Sequence, residues 1–425
     1  MSAPELALAA AVLPLLLVAI LGLALFVRRP LSEPATGILV AACFLGALAG
    51  FVAAAVRMAG IPRREVPLGE WFGIAGHHFE FRLLLDRLSL AFAAYAALLC
   101  GLVGVFAHRY LHREPGYARF FFLLALFAVG ILMIVLAGDM ELIFAGWEIV
   151  GLSSALLVAF FHDRPLPVQN GLRVFVVYRV CDIGLLAAYI LVHHELGTGR
   201  LTGLFAAPIT AGTLVSFLVL LAVAGKSAQI PFSGWLPRAM EGPTPSSAIF
   251  YGALSVQAGA FVLLRLSPLF ERAPAARAAI VALGLVTAAH AALVGRVQTD
   301  AKCALSYASM TQVGLILAEI GLGWNTLALV HLLGHGSVRS LQFLRSPSLL
   351  LERHHAENRV GGLPAPREPF RFLPAGARRW LYRFALERAY LDAALERFVV
   401  APFLGAIRRL DGLERAWSAR WGGRR

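Results

Sequence analysis

The sequence contains eleven apolar stretches of about 20 residues, the length that crosses the hydrocarbon core of a bilayer as one helix. The stretches lie near residues 5–27, 36–58, 84–107, 118–137, 141–161, 172–194, 210–231, 245–268, 276–297, 303–322 and 324–345. Hydrophobic residues make up 59% of the chain and charged residues 15%, and the mean hydropathy is +0.73. Soluble domains carry roughly 25% charged residues. We therefore predict an all-α polytopic membrane protein with about eleven transmembrane helices.

The apolar stretches and their connections divide the chain into three regions. Residues 1–82 hold the first two spans and a connection, residues 59–82, that we expect to be an extramembrane loop. The first stretch lacks a preceding basic segment and a small-residue cleavage site, so we interpret it as a span and not a signal peptide. Residues 83–346 hold the other spans. Residues 347–425 form a basic linker and then amphipathic helices suited to a bilayer surface or a partner.

Positive charge is concentrated at the C-terminal end of the chain. Residues 346–425 contain fifteen arginines and eight acids, which gives +7 of the formal net charge of +13. Cytoplasmic segments of membrane proteins are enriched in Lys and Arg, so this bias indicates a cytoplasmic tail on a multi-pass protein of a bacterial-type inner membrane. We expect the lipid bilayer and a soluble or membrane partner subunit as binding partners, the subunit docked through the cytoplasmic face and the tail. We expect no binding of nucleic acid.

Several ionisable side chains lie inside the apolar stretches, where each is costly and commonly marks a function. They are Glu148, Arg179, Asp182, Lys226, Glu319, His331, His335 and Arg339. Lys226 is one of only two lysines against 36 arginines, and lysine, unlike arginine, can release a proton when it is desolvated. Together with Glu148 on a separate span, it indicates a linked pair of proton-binding groups. The alternative is structural, for example an Arg179–Asp182 pair that joins helices.

His331, His335 and Arg339 are spaced by four residues and therefore share one stripe of a helix. The HxxxH spacing would permit zinc, but no third ligand and no HExxH glutamate is nearby, so we favour a proton relay over a metal site. A histidine satisfied by a backbone carbonyl is the structural alternative. The four cysteines form no CxxC motif or cluster. We see no catalytic triad, glycine-rich phosphate loop or cofactor motif, so we expect no metal, no cofactor and no catalytic chemistry in this chain.

A proline-broken helix is predicted next to Lys226. The span 210–231 ends in Gly225-Lys226-Ser-Ala-Gln-Ile-Pro231. Proline removes a backbone donor and clashes with the carbonyl four residues earlier, so Pro231 should interrupt the helix about one turn after Lys226. Transporters build ion sites where a broken helix exposes backbone beside a charged residue at mid-membrane. The pattern therefore favours a proton-transfer site at Lys226.

Five motifs, in order along the chain, resemble those of one family. They are Gly146-Trp-Glu148-Ile-Val-Gly-Leu-Ser, Tyr178-Arg179-Val-Cys-Asp182, Gly225-Lys226-Ser-Ala-Gln-Ile-Pro, Gly242-Pro-Thr-Pro-Ser-Ser-Ala and Gln298-Thr-Asp300-Ala-Lys302-Cys-Ala-Leu-Ser-Tyr-Ala-Ser-Met-Thr-Gln312. The segment from about Leu83 to Leu344 is similar to the antiporter-like subunits of respiratory complex I, above all NADH-quinone oxidoreductase subunit L, and to Mrp-type antiporter subunits. The resemblance implies an antiporter-like, proton-conducting core over residues 83–346. It also implies that Glu148 and Lys226 form the centre of a proton path, which Arg179 and Asp182 adjust.

The chain departs from the family pattern at two positions and in length. Tyr251 stands where the family commonly has a histidine, and Arg339, which cannot cycle a proton, stands where the family has a lysine. Family members usually continue for several more spans with a second broken helix. We therefore expect an altered second half of the path, in which Glu319 and Arg339 form a remnant site or a fixed ion pair and Tyr251 lines the path.

These departures, with His331-Leu-Leu-Gly-His335 leading to Leu341-Gln-Phe-Leu-Arg-Ser-Pro-Ser-Leu-Leu350, resemble a narrower branch of the family. That branch is the membrane subunit of DAB-type inorganic-carbon transporters, which implies a subunit that passes protons down the proton-motive force to drive a soluble, zinc-containing partner. One alternative is a proton-pumping subunit of a complex I-like NADH-quinone oxidoreductase. The other is a membrane anchor that binds a soluble catalytic partner and transports nothing.

Overall fold

The computed structural model describes residues 1–74, 77–206, 209–346, 369–395, 397–398 and 401–421. The helices are α1 Ala3–Phe26, α2 Glu33–Arg57, α3 Arg87–Tyr110, α4 Tyr117–Leu136, α5 Met140–Val158, α6 Pro165–Leu196, α7 Leu201–Ala206, α8 Gly212–Lys226, α9 Trp235–Arg238, α10 Thr244–Ser246, α11 Leu254–Arg265, α12 Ser267–Glu271, α13 Pro274–Gly295, α14 Ala301–Gly321, α15 Asn325–Arg345, α16 Ala375–Leu386, α17 Leu391–Leu395 and α18 Ala401–Trp421. A π-helical turn, Ser247–Tyr251, lies between α10 and α11. Two strands, β1 Arg63–Ile74 and β2 His77–Asp86, pair antiparallel.

Nine helical segments of the described chain are long and apolar enough to cross a membrane. They are α1 to α6, the combined segment Thr244–Arg265, α13 and α14. The two remaining predicted spans are also helical, but α8 stops after 15 residues and α15 falls outside this group. The prediction of an all-α polytopic membrane protein is confirmed.

Polar residues mark where several of these helices begin. Asp139 caps α5, because its Oδ1 accepts a hydrogen bond from the Leu142 amide at 2.7 Å. Asp300 caps α14 in the same way through the Cys303 amide, also at 2.7 Å. Side chains of this kind satisfy backbone donors that have no partner inside the helix. The caps therefore fix the start of two helices that carry candidate site residues.

The connection after α2, which we expected to be an extramembrane loop, contains regular structure. Residues 63–74 and 77–86 are the two strands of an antiparallel hairpin, whose pairing satisfies backbone polar groups that a loop would leave to solvent. The second strand ends at Asp86, which caps α3 and forms a buried, two-bond ion pair with Arg265 at the end of α11, at 2.5 and 3.1 Å. This pair ties the hairpin to the helix that follows the π-helical turn.

The C-terminal segment contacts the bundle at one end. Val297, which follows α13, packs with Phe370 and Ala385 in a small cluster separate from the main core. The last helix, α18, has a different environment: its side chains Leu410, Leu413 and Trp417 are exposed within the described chain. Residues 369–395 are thus docked on the bundle, whereas α18 presents an apolar stripe outward.

Candidate functional site

Lys226 is the last residue of α8, and its side chain is completely buried. Its Nζ donates a hydrogen bond to the Trp147 carbonyl at 3.1 Å and lies 4.1 Å from the centre of the Tyr178 ring. An ammonium over an aromatic face is stabilised by the ring quadrupole. Gly151 on α5 leaves room for this group, because an added Cβ there would lie 2.8 Å from Nζ.

The carboxylate nearest to Lys226 is that of Asp182 on α6. Lys226 Nζ lies 3.6 Å from Asp182 Oδ2, while Asp182 Oδ1 accepts a hydrogen bond from Trp147 Nε1 at 2.5 Å. Arg179 donates to the same Oδ2 at 2.9 Å and also forms an ion pair with Glu148 on α5. The four charges therefore follow one another in the order Glu148, Arg179, Asp182 and Lys226. The sequence predicted that Glu148 and Lys226 are linked, and the structure places Arg179 and Asp182 between them.

The two ends of this charged chain differ in exposure. The side chains of Lys226 and Asp182 are 0% and 3% exposed, whereas those of Glu148 and Arg179 are 25% and 35% exposed. A buried charge persists only when it is paired and hydrogen-bonded, and each inner charge satisfies that condition here. The outer pair opens on the lateral surface that α5 and α6 share.

The break in the helix lies directly after Lys226. Ala228 has a left-handed φ of 51°, which an L-residue rarely adopts, so the helix does not continue through it. The Gln229 amide donates to the Ala224 carbonyl at 2.8 Å, and Trp235 Nε1 donates to the Gly225 carbonyl at 3.0 Å. These bonds satisfy carbonyls that the ended helix leaves free.

Close approach of α8 to α6 requires a glycine before the lysine. An added Cβ at Gly225 would lie 2.6 Å from Cys181 Sγ, so any larger residue would push the two helices apart. Cys181 is the neighbour of Asp182 in the sequence. Gly225 therefore sets the spacing at which the Lys226 ammonium reaches the Asp182 carboxylate.

Tyr251 lies in the same region but does not contact Lys226. Its ring meets the Trp235 ring at 5.8 Å, and Trp235 in turn meets Tyr178 at 5.0 Å, both edge to face. The Tyr251 hydroxyl donates to the Ser154 carbonyl at 3.5 Å. Tyr251 is thus the far end of an aromatic wall that begins under the Lys226 ammonium.

The second group of predicted residues forms a separate cluster on α14 and α15. His331 Nδ1 lies 2.9 Å from Glu319 Oε1, and His331 Nε2 lies 3.0 Å from Gln312 Oε1. The ring of His335 is 6.3 Å from that of His331, and its Nδ1 is 3.3 Å from Gln257 Nε2 on α11. Glu319 therefore faces His331 and not Arg339.

Arg339 forms no ion pair with the carboxylates that the structure describes. The two clusters are also not in direct contact with each other. Helix α11 touches both sides: Ser255 Oγ lies 3.4 Å from Ser154 Oγ on α5, and Gln257 Nε2 donates to the Leu332 carbonyl on α15 at 3.0 Å. Buried polar residues on α11 therefore lie between the Lys226 cluster and the His331 cluster.

Several site residues were not among those predicted from the sequence. They are Trp147, Gly151, Trp235, Gln257 and Gln312. Four of them lie within or next to the motifs quoted above, so position in a motif was a usable signal. Gln257 had none, because a single glutamine in an apolar stretch does not indicate which helix it faces.

With its buried, paired ionisable groups beside a broken helix, the chain is a polytopic membrane protein that carries charged residues inside its spans. The family model described as NADH:quinone oxidoreductase/Mrp antiporter, TM matches residues 137–365, more than half of the chain. A second model, NADH-Ubiquinone oxidoreductase (complex I), chain 5 N-terminus, matches residues 71–121. The chain belongs to the NADH:quinone oxidoreductase/Mrp antiporter transmembrane family.

Relatives with this similarity include NADH-quinone oxidoreductase subunit L of Mycobacterium tuberculosis, 35% identical over 303 residues, which are 69% of this chain and 48% of that protein. Subunit L of Escherichia coli is 35% identical over 307 residues, 70% of this chain and 50% of that protein. The chain thus spans about half the length of the curated relatives it matches.

Two solved structures share the fold. The Mrp complex from Dietzia sp. DQ12-45-1b gives a TM-score of 0.68 at 27% identity, over 88% of this chain and 40% of that chain. The membrane-bound sulfane sulfur reductase, an archaeal respiratory membrane complex, gives 0.69 at 19% identity, over 91% and 85%. The second likeness concerns the fold alone.

Proposed function

We propose that this chain is a proton-conducting membrane subunit of a multisubunit energy-coupling complex. One observation carries the proposal: a fully buried lysine ends a broken helix and is joined through Asp182 and Arg179 to the partly exposed Glu148. Lysine and carboxylates can exchange protons, whereas arginine stays charged and orders its neighbours. The arrangement supports transfer between an outer carboxylate and an inner amine.

In this proposal protons enter near Glu148, exchange with Lys226 and pass towards the pair His331 and His335. Arg179 and Asp182 set the proton affinities of their neighbours, and Tyr251 lines the path. The second cluster supports a relay role for His331, because both of its ring nitrogens face oxygen atoms, of Glu319 and of Gln312. Arg339 is a fixed charge at the far end.

The exposure of the outer ion pair, Glu148 and Arg179, supports the presence of a partner subunit. Glu148 and Arg179 open on a lateral face inside the span of α5 and α6, where contact with lipid tails would be unfavourable. We infer that another membrane subunit covers this face, in keeping with relatives whose names describe complexes. We also propose that the tail lies on the cytoplasmic side and adds a second docking surface through the exposed stripe of α18.

Two assemblies fit this role. The sequence departures favour a complex in which proton flow drives inorganic-carbon uptake by a soluble partner. The names of the relatives, NADH-quinone oxidoreductase subunit L and Mrp, support a respiratory assembly at least as well. Affinity purification of the full chain from native membranes, with identification of the co-purifying chains, separates them: a soluble zinc protein supports the first, and a set of quinone oxidoreductase subunits supports the second.

The proton path itself is tested with Glu148→Gln and Lys226→Ala in the complex as purified with its partners. We expect both variants to assemble but to lose proton movement into proteoliposomes under an imposed membrane potential. Lys302→Ala, at the start of α14, and Glu271→Gln, at the exposed last residue of α12, are matched controls that should retain it. If both site variants keep full proton movement, the path is wrong and a non-transporting anchor becomes the better interpretation. Deletion of residues 377–425 should then abolish function by itself.

A further inference from the structure

The C-terminal segment makes a specific contact with the turns that follow the broken helix. Arg238, the last residue of α9, donates from Nη1 to Asp392 Oδ1 at 3.1 Å and from Nη2 to Asp392 Oδ2 at 2.8 Å. The same Nη1 donates to the Gly234 carbonyl at 2.7 Å. A guanidinium that binds a carboxylate through two parallel bonds is fixed in direction as well as in distance. One arginine thus joins the tail to the backbone of residues 232–238.

The tail backbone bends immediately before Asp392, the residue that pairs with Arg238. Arg388, Ala389 and Tyr390 have φ angles of 52°, 57° and 58°, so three consecutive L-residues adopt the left-handed region. Such a conformation is costly and persists only where surrounding contacts hold it. Arg388 also bonds to Asp392 from its Nη1, at 3.3 Å. The turn and the ion pair therefore form one unit.

The contact leads directly to the proton-transfer site. Gly234 has no side chain where Asp392 approaches: an added Cβ would collide with the Asp392 carboxylate. The next residue, Trp235, bonds through Nε1 to the Gly225 carbonyl, which immediately precedes Lys226. Asp392 thus acts on Arg238 and Gly234, these hold Trp235, and Trp235 holds the end of α8.

We propose that Asp392 and Arg238 are positioning residues for Lys226: by clamping the turns of residues 232–238, the tail fixes the end of the helix that carries the lysine. The proposal rests on the proton-conducting function argued above, but the clamp itself is a structural claim with its own readout. It assigns to the tail a role inside the membrane subunit, in addition to any docking of a partner.

The clamp is tested in the intact complex with Asp392→Asn, Arg238→Gln and the double variant. Asp411→Asn is the matched control, because Asp411 pairs with Arg415 on the exposed α18, 3.0 Å apart and remote from the site. Amide hydrogen exchange over residues 227–241 reports local opening of the clamped turns. We expect exchange about fivefold faster in either single variant, a size typical of a partly exposed ion pair. Peptides of α1 to α4 and the Asp411→Asn variant should not change.

The interaction between Asp392 and Arg238 is then tested with the double variant and with Asp392→Glu. If the two residues act as one contact, the double variant exchanges no faster than the faster single variant, whereas additive effects overturn the clamp. Asp392→Glu keeps the carboxylate and should restore both slow exchange and proton movement; a merely structural role for the Asp side chain would not be rescued in this way. Unchanged exchange in Asp392→Asn rejects the clamp whatever the transport result. Faster exchange with unchanged proton movement keeps the clamp but rejects its role in positioning Lys226.

Discussion

At the scale of single residues, the main finding is that the buried lysine is paired with an aspartate, and the glutamate is reached through an arginine. All four residues could be predicted from the sequence because each is an ionisable group within an apolar stretch. Their order could not, because the pairing between α6 and α8 depends on helix rotation and spacing that the sequence does not contain. The spacing is set locally by Gly225, and the lysine pocket by Gly151.

Removal of the Asp182 charge should therefore be more damaging to stability than removal of the Glu148 charge. Asp182→Asn leaves Lys226 buried beside the Trp147 carbonyl and two aromatic rings but removes the negative charge nearest to it. Loss of one member of a buried pair costs about 3 kcal/mol, so we expect a clearly lower melting temperature in detergent and no proton movement. Asp163→Asn, in the exposed connection before α6, is the control and should melt like the unaltered chain. Equal melting temperatures for Asp182→Asn and Asp163→Asn would contradict the pairing of Asp182 with Lys226.

A methyl group beside the lysine should impair transfer without unfolding the chain. Gly151→Ala places a Cβ 2.8 Å from Lys226 Nζ, and the flexible end of the lysine can move aside. Because proton transfer depends on sub-ångström positioning, we expect proton movement at least about tenfold slower with an almost unchanged melting temperature. Gly334→Ala on α15 is the matched control, since nothing lies within 4 Å of the added atom. Equal transport rates in the two variants would show that the Nζ position is not critical.

At the scale of elements, the helix pattern was predictable from the sequence and the irregular segments were not. Every predicted span is helical, because 20-residue apolar stretches allow little else in a bilayer. The break was assigned to Pro231, whereas α8 ends at Lys226 and Ala228 already adopts a left-handed φ. Proline indicates that a helix must end before it but not how many residues before. The pairing of residues 63–74 with residues 77–86 was missed because their charged residues and glycines obscure the alternation typical of a strand.

The ended helix depends on a bond from Trp235. Trp235→Phe keeps an aromatic ring against Tyr178 and Tyr251 but removes the donor to the Gly225 carbonyl. The Gly225 carbonyl keeps the longer bond from the Ala228 amide at 3.4 Å, so loss of the indole donor costs about 1 kcal/mol, and we expect a lower melting temperature and slower proton movement. Trp380→Phe, an exposed position on α16, is the matched control for loss of an indole. A Trp235→Phe variant that melts and transports normally would mean that the remaining backbone bond holds the end of α8 without the indole.

At the scale of the whole molecule, the charged chain runs from the interior to a lateral face, so the site is complete only if something covers that face. The inner half, Asp182 and Lys226, is enclosed by α5, α6 and α8 of this chain. The outer half, Glu148 and Arg179, is partly exposed among outward apolar residues of α6. In the assembly that we propose, this chain builds the lysine pocket and a neighbouring subunit covers the outer ion pair.

The covered face can be located with a photoreactive amino acid. The probe is placed at Val180 on α6, which is exposed next to Arg179. The comparison position is Leu45 on α2, which is exposed in the middle of a helix whose charged residues lie at its ends. We expect the probe at Val180, irradiated in native membranes, to form a crosslink to another chain of the complex, because a mid-membrane ion pair is stabilised by protein neighbours and not by lipid tails. Mass spectrometry of the adducts then identifies the neighbour. Lipid adducts alone at Val180, with partners still co-purifying, would place the subunit interface on another face and leave the Glu148–Arg179 pair to be hydrated from within the bundle.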